Sequence, residues 1–169
     1  MELQTAQQQH PLNGKWNLYY HLPHNKKWDL SSYTVISDAI DTVEKVNLLN
    51  DVVIDTIVKN CMLFVMRDGI TPMWEDPKNR DGGSFSYKVV NKYVNEVWKT
   101  LFCLLCGETL TKKNTDMKYI NGITISHKKN FCIIKIWLNH KKNQNPSMIV
   151  DYKLLSNEGC MFIEHKPEF

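Results

Sequence analysis

The sequence lacks any apolar run approaching the roughly 18–20 residues of a membrane span, so no membrane passage is expected. It also lacks a secretory start: Met1 to Gln9 is polar and Gln-rich, with neither a basic beginning nor an apolar centre. Residues 1–9 therefore read as a flexible leader. Charge of one sign is scarce. Lys and Arg total 21 against 18 Asp and Glu, a net charge of +3, which is little for a protein that grips long nucleic acid without sequence preference. A nucleic-acid ligand would be a short, defined piece. Cysteines number only five, an odd count. Cys103 and Cys106 form a C-x-x-C pair, but within a helical apolar run, and no second pair or His pair at zinc spacing completes it. The set reads as buried, reduced thiols in a reducing compartment, the cytoplasm. No nucleophile–base motif, phosphate-cradling Gly-rich loop or metal-ligand spacing is visible, which argues against an enzyme, a cofactor or a metal.

What is present is one domain's worth of strand, punctuated by two helical stretches. The chain has 169 residues, and residues 10–169 are taken as a single binding domain. Trp16, Leu18 and Tyr20 alternate with Asn17, Tyr19 and His21 between Gly14 and Leu22, a period-2 pattern. Further strands are expected over 33–37, 62–67, 84–90, 120–127, 131–138, 148–153 and 160–164. Asp41 and Glu44 have capping-box spacing before Val43, Val46, Leu48 and Leu49. A second helix is expected from about Asn91 to Cys106, where Val94, Trp98, Leu101, Phe102 and Leu105 recur at spacings of three and four. Gly107 stands at the C-cap position. The predicted class is α+β: one antiparallel sheet of about eight strands backed by two or three helices.

The segment richest in chemistry is Arg67-Asp-Gly-Ile-Thr-Pro-Met-Trp-Glu-Asp76, followed by Pro77-Lys-Asn-Arg-Asp-Gly-Gly83. A strand ends at Asp68-Gly69, and Pro72 stiffens a loop that can present Trp74 and Glu75 to a ligand. An aromatic followed by a carboxylate suits a methylated guanine. Methylation at N7 makes the base cationic, so it is drawn to an electron-rich ring face, and stacking on one aromatic contributes roughly 1–3 kcal/mol. The N1–H and 2-amino donors of guanine match the two oxygens of one carboxylate in a charge-assisted fork. Adenine, with an acceptor at N1, is rejected. Trp28, in the polar stretch His24-Asn-Lys-Lys-Trp-Asp29, is the candidate second plate.

An ordered series of motifs resembles the eukaryotic translation initiation factor 4E family of cap-binding proteins. The series is His10-Pro-Leu-Asn-Gly-Lys-Trp16, Asp41-Thr-Val-Glu44, Asp68-Gly-Ile-Thr-Pro-Met-Trp-Glu-Asp76, Lys78-Asn-Arg-Asp-Gly-Gly83, Gly107-Glu108 and Ile134-Lys-Ile-Trp137. The resemblance runs from His10 to about Tyr152. It implies a curved sheet with helices on its convex back and the 7-methylguanosine 5' cap of messenger RNA, as in 7-methyl-GTP, in the concave front. It implies that Trp28 and Trp74 sandwich the base, Glu75 reads its edge, and Trp137 lies against the methyl group. Lys128 falls where the family has an Arg, whereas Asn130 and Ile133 replace common lysines. Lys128 and Lys129 are thus the expected phosphate contacts.

The family's convex back receives a short helix from an initiation scaffold or a repressor, docked on a Trp of the first helix. Here that position is Asn47, and nearby positions on the second helix are Lys99, Thr100 and Cys103. His10, Pro11 and Val43 still match. An apolar anchor facing Asn47 and Lys99 would bury poorly paired polar groups. Three readings follow: a cap-binding initiation factor, a cap-binding repressor or specialised factor that does not recruit the usual scaffold, and an interaction module that kept only the fold.

Overall fold

The structure, a computed structural model, describes residues 8–52 and 57–169. Most of the expected leader therefore lies outside the described residues. Seven strands and two α-helices make up the regular elements among the described residues: β1 (Pro11–His21), β2 (Tyr33–Thr42), α1 (Val43–Val52), β3 (Met62–Arg67), β4 (Gly83–Val90), α2 (Val94–Cys106), β5 (Ile120–His127), β6 (Phe131–Leu138) and β7 (Met161–Glu164). The strands form one sheet in the order β2-β1-β3-β5-β6-β4-β7, with every neighbouring pair antiparallel.

Period-2 alternation divides the sheet into two faces. On β6, Cys132, Ile134, Ile136 and Leu138 join the main core, with Ile123 and Ile125 from β5 and Phe85 and Tyr87 from β4. α2 covers that face. Its Val94, Trp98, Leu101, Phe102 and Leu105 are all buried, as the spacings of three and four require. Burying each such side chain contributes about 1.5–3 kcal/mol. Trp98 belongs to this core. The opposite face carries a smaller apolar cluster of Phe64, Met66, Ile70 and Trp137, with Tyr19, Tyr33, Met62 and Trp74 packed against it.

Two local expectations need correction. First, 148–153 is not a strand. Pro146 lacks an N–H for a ladder, and the Asn145 side chain accepts from Ser147 N at 3.0 Å, which closes a 3-10 turn over Pro146–Met148. Ile149 then makes only an isolated bridge to Thr111. The sheet accordingly has seven strands among the described residues.

Second, the capping box does not form. β2 runs on to Thr42, whose hydroxyl caps Lys45 N at 3.3 Å. Asp41 pairs instead with Lys45, and Glu44 binds His10 through both its backbone N–H and its ring. Gly107 is the C-cap of α2, as the sequence predicts; it takes right-handed geometry, and the next residue, Glu108, takes the positive φ of 56°. Glu108 is held there by Arg67 at 2.6 Å, whose guanidinium lies 4.3 Å over the Trp16 ring. Cys103 is also exposed, not buried.

Candidate functional site

The loop between β3 and β4 is built on two side chains. Asp76 accepts from Thr71 N and Oγ at 2.7 and 2.8 Å with one oxygen, and from Lys78 N at 2.8 Å with the other. Asn79, fully buried, donates to the carbonyls of Thr71 and Met73 at 2.9 and 2.8 Å and accepts from Asn121 at 2.8 Å. Residues 71–79 are thereby closed on themselves, and Trp74 and Glu75 project from a fixed frame. Gly82 is required beyond it, since an added Cβ would lie 1.9 Å from the Leu138 carbonyl oxygen.

Each loop tryptophan is backed by a histidine. The His21 ring stacks on Trp28 with centroids 4.0 Å apart and planes within 1°, and its Nε2–H donates to the Lys27 carbonyl at 2.8 Å. That bond fixes the chain one residue before the indole. Trp28 is nonetheless 48% exposed, so one face is covered and the other is open. The Trp74 ring stacks on His165 with centroids 5.6 Å apart and planes 18° apart. His165 Nδ1–H donates to Asn79 O at 2.7 Å, so its Nε2 accepts from Ser84 Oγ at 2.8 Å.

Both indoles, Glu75 and Trp137 line one cleft of about 900 Å³ on the helix-free face. Tyr33, Phe64, Thr124, Ser86 and Lys135 complete its floor and walls. Burial, followed by the carboxylates of Glu75 and Asp29, pushes the Tyr33 hydroxyl above its ordinary pKa. Lys128 lines the cleft; Lys129, the other expected phosphate contact, does not. Ile133 lines it as well and makes that part of the wall apolar.

The C-terminal residues, to which no cap contact is assigned from sequence, also take part. Met161, Ile163, Glu168 and Phe169 line the cleft, and Glu168 N–H donates to a Glu75 oxygen at 3.2 Å. Lys135 and these terminal residues escaped sequence reasoning. For Lys135 a signal existed: it shares the strand parity of Trp137. Among the described residues, no group of three or more His, Cys, Asp and Glu is placed to hold a metal ion.

The candidate partner residues sit around the helices. β1 begins at Pro11, opposite Thr42, and His10 is tied to Glu44 at the start of α1. Val43, Asn47 and Cys103 are exposed, and Asn50 of α1 donates to Lys99 O at 3.4 Å and Cys103 Sγ at 3.2 Å. These positions thus share one helical surface, across the sheet from the cleft.

His165 supplies a pH prediction. Burial drives its pKa from 6.5 to about 4; the bond to Asn79 O opposes this, and Lys135 adds to the lowering. Between those two values the unfolded chain takes up a proton that the folded protein refuses. Stability therefore falls as pH drops from 6.5 towards 4, by up to about 1.4 kcal/mol per pH unit from this group, and this contribution is flat above that window. Urea denaturation of wild type and His165→Phe across pH 4.5–7 should show a shallower acid slope in the variant, whose ring can still stack on Trp74.

A single antiparallel sheet with helices on one face and an aromatic, carboxylate-bearing cleft on the other defines a class of one-sheet binding module. The chain belongs to the eukaryotic initiation factor 4E family, whose description matches residues 11–157. It is 35% identical over 105 residues to a eukaryotic translation initiation factor 4E homolog of Acanthamoeba polyphaga mimivirus, covering 58% of this chain and 39% of the relative. It is 30% identical over 136 residues to eukaryotic translation initiation factor 4E-2 of Schizosaccharomyces pombe, covering 76% of this chain and 53% of the relative. The chain thus spans about two fifths and about half of those two lengths.

Among solved structures, C. elegans eIF4E-3 in complex with the 4E-binding protein Mextli and a cap analog superposes with a TM-score of 0.69 at 24% identity, covering 79% of this chain and 76% of that one. Schistosome eIF4E complexed with m7GpppG and 4E-BP gives 0.70 at 23%, covering 80% and 75%. At these identities the likeness is one of fold.

Proposed function

We propose that this chain binds the 7-methylguanosine 5' cap of messenger RNA and acts in translation initiation, in the cytoplasm, without catalysing a reaction. The observation that carries this reading is the meeting of Trp28, Trp74, Glu75 and Trp137 in one cleft. Trp28 and Trp74 take the two faces of the base, Glu75 accepts from its N1–H and 2-amino group, and Trp137 lies against the methyl. Residues 10–169 act as one cap-binding domain. Lys128 contributes charge to the phosphates; Lys129 acts at longer range from outside the cleft.

Affinity for 7-methyl-GTP and GTP, compared by tryptophan fluorescence titration, tests the reading. The cationic base gains about 2 kcal/mol or more between desolvated rings, so 7-methyl-GTP should bind at least about 30-fold more tightly. Equal affinities would refute it.

A second reading concerns what the protein does with the cap. Asn47 stands exposed on α1 where a docking anchor would need an apolar partner. This favours a repressor or specialised factor that occupies caps without the usual scaffold. Asn47→Trp should raise retention of a scaffold-derived helical peptide in a pull-down over a weak wild-type level. Strong wild-type capture, unchanged in the variant, would favour the ordinary initiator.

A further inference from the structure

The floor of the cleft carries a row of donors in direct cross-strand register. Thr124 on β5 pairs with Lys135 on β6, and Ser86 on β4 pairs with the same Lys135 from the other side. Paired residues share a face of the sheet, and all three line the cleft. The result is a hydroxyl–ammonium–hydroxyl row across three strands. Trp137, two residues along β6, lies on the same face and is also a cleft residue.

Two of these groups have no hydrogen-bond partner among the described residues. Thr124 Oγ1 and Trp137 Nε1 are buried polar atoms without a hydrogen bond, in residues only 3% and 4% exposed. A buried donor left unmade costs about 1–3 kcal/mol, so such groups mark where a ligand atom completes the bonding. Lys135 makes no ion pair among the described residues; its ammonium lies 5.8 Å from the centroid of the Trp74 ring. The wall residue at 133 is isoleucine, and Lys135 brings positive charge to the floor.

We propose that Thr124, Lys135 and Ser86, with the Trp137 indole N–H beside them, form a phosphate subsite on the cleft floor. It takes the phosphate next to the nucleoside held by the two indoles. The inference rests on the cap reading for the nucleoside and adds the site of its first phosphate. An ammonium this close to the Trp74 plate reaches the first phosphate, not a downstream phosphodiester. Burial, and Lys128 beside it, lower the Lys135 pKa, and a bound phosphate reverses that by supplying the missing counter-charge.

The test is calorimetric titration of wild type, Lys135→Met and Thr124→Val with 7-methylguanosine, 7-methyl-GMP, 7-methyl-GTP, a capped dinucleotide and inorganic pyrophosphate, with melting temperatures as the check on folding. Lys135→Met should leave nucleoside affinity unchanged and weaken 7-methyl-GMP about tenfold or more, with no further loss for the longer ligands. The salt dependence of binding should flatten by about one unit of slope. Thr124→Val should show a smaller loss, about threefold, confined to the phosphorylated ligands.

Equal weakening of nucleoside and nucleotides would show that Lys135 acts through Trp74, and would overturn the subsite. So would a loss seen only with the capped dinucleotide, which would place the contact on downstream phosphodiester. If wild type bound pyrophosphate in a Lys135-dependent manner but not 7-methylguanosine, the subsite would stand and the cap reading would fall.

Discussion

Glu75→Gln should lower affinity for 7-methyl-GTP by on the order of 100- to 1,000-fold while leaving the fold intact. Glutamine keeps the size of the side chain but turns one acceptor into a donor. That donor would face N1–H or the 2-amino group of the base. Hydrogen bonds to a charged partner contribute about 1.5–3 kcal/mol each, and a donor set against a donor adds a desolvation cost. A combined loss of about 3–4 kcal/mol corresponds to the stated range.

The Glu168 N–H bond to Glu75 can persist on the remaining oxygen. Glu75 is only half-buried, so the melting temperature should stay within about 2 °C of wild type. GTP should lose affinity in the same proportion, because the edge read by Glu75 does not depend on the methyl group. Isothermal titration of both ligands checks both statements, and a loss under about tenfold would remove Glu75 from the role assigned to it.

Asn79→Ala should cost about 3–5 kcal/mol of stability and lower the melting temperature by roughly 10 °C or more. The side chain is fully buried and satisfies the carbonyls of Thr71 and Met73 and the amide of Asn121 at once. Alanine removes the donor to the Thr71 carbonyl, leaves the Met73 carbonyl with only the 3.4 Å bond from Asp76 N, and leaves the Asn121 amide with only Lys78 O. The loss should also appear in binding, since Trp74 and Glu75 hang between Met73 and Asp76. Arg80→Ala, one residue away and exposed, is the control and should change neither. Thermal melts and 7-methyl-GTP titrations measure both effects; a stable variant with normal binding would show that the loop does not depend on this hub.

Much of the site could be read from residue pattern because its chemistry is local. Trp74 and Glu75 are adjacent in a loop punctuated by Gly69, Pro72 and Gly82, and α2 carries unbroken helical spacing. The parts that could not be read depend on strand parity or on long-range return of the chain. Lys135 sits between Ile134 and Ile136, and an alternating reading of β6 gives two faces without saying that the polar one floors a cleft. His21 and His165 back the two indoles from 7 and 91 positions away in sequence, a relation no local pattern encodes. The tail around Glu168 reaches Glu75 across 93 positions, through the pairing of β7 with β4. The supposed strand at 148–153 failed for a local reason: apolar residues followed Pro146, but the Asn145 cap and the proline ring favoured a turn. Asp41–Glu44 failed because a tertiary partner, His10, outcompeted the reciprocal cap.

The proposed function turns on one methylated base lying between Trp28 and Trp74. A crystal structure of the protein with 7-methyl-GTP tests this most directly. The base should lie parallel to both indoles, with its N1 and 2-amino group on Glu75 and the His21 and His165 rings on the outer faces of the sandwich. A base lying outside the cleft, or stacked on one indole with Glu75 turned away, would contradict it.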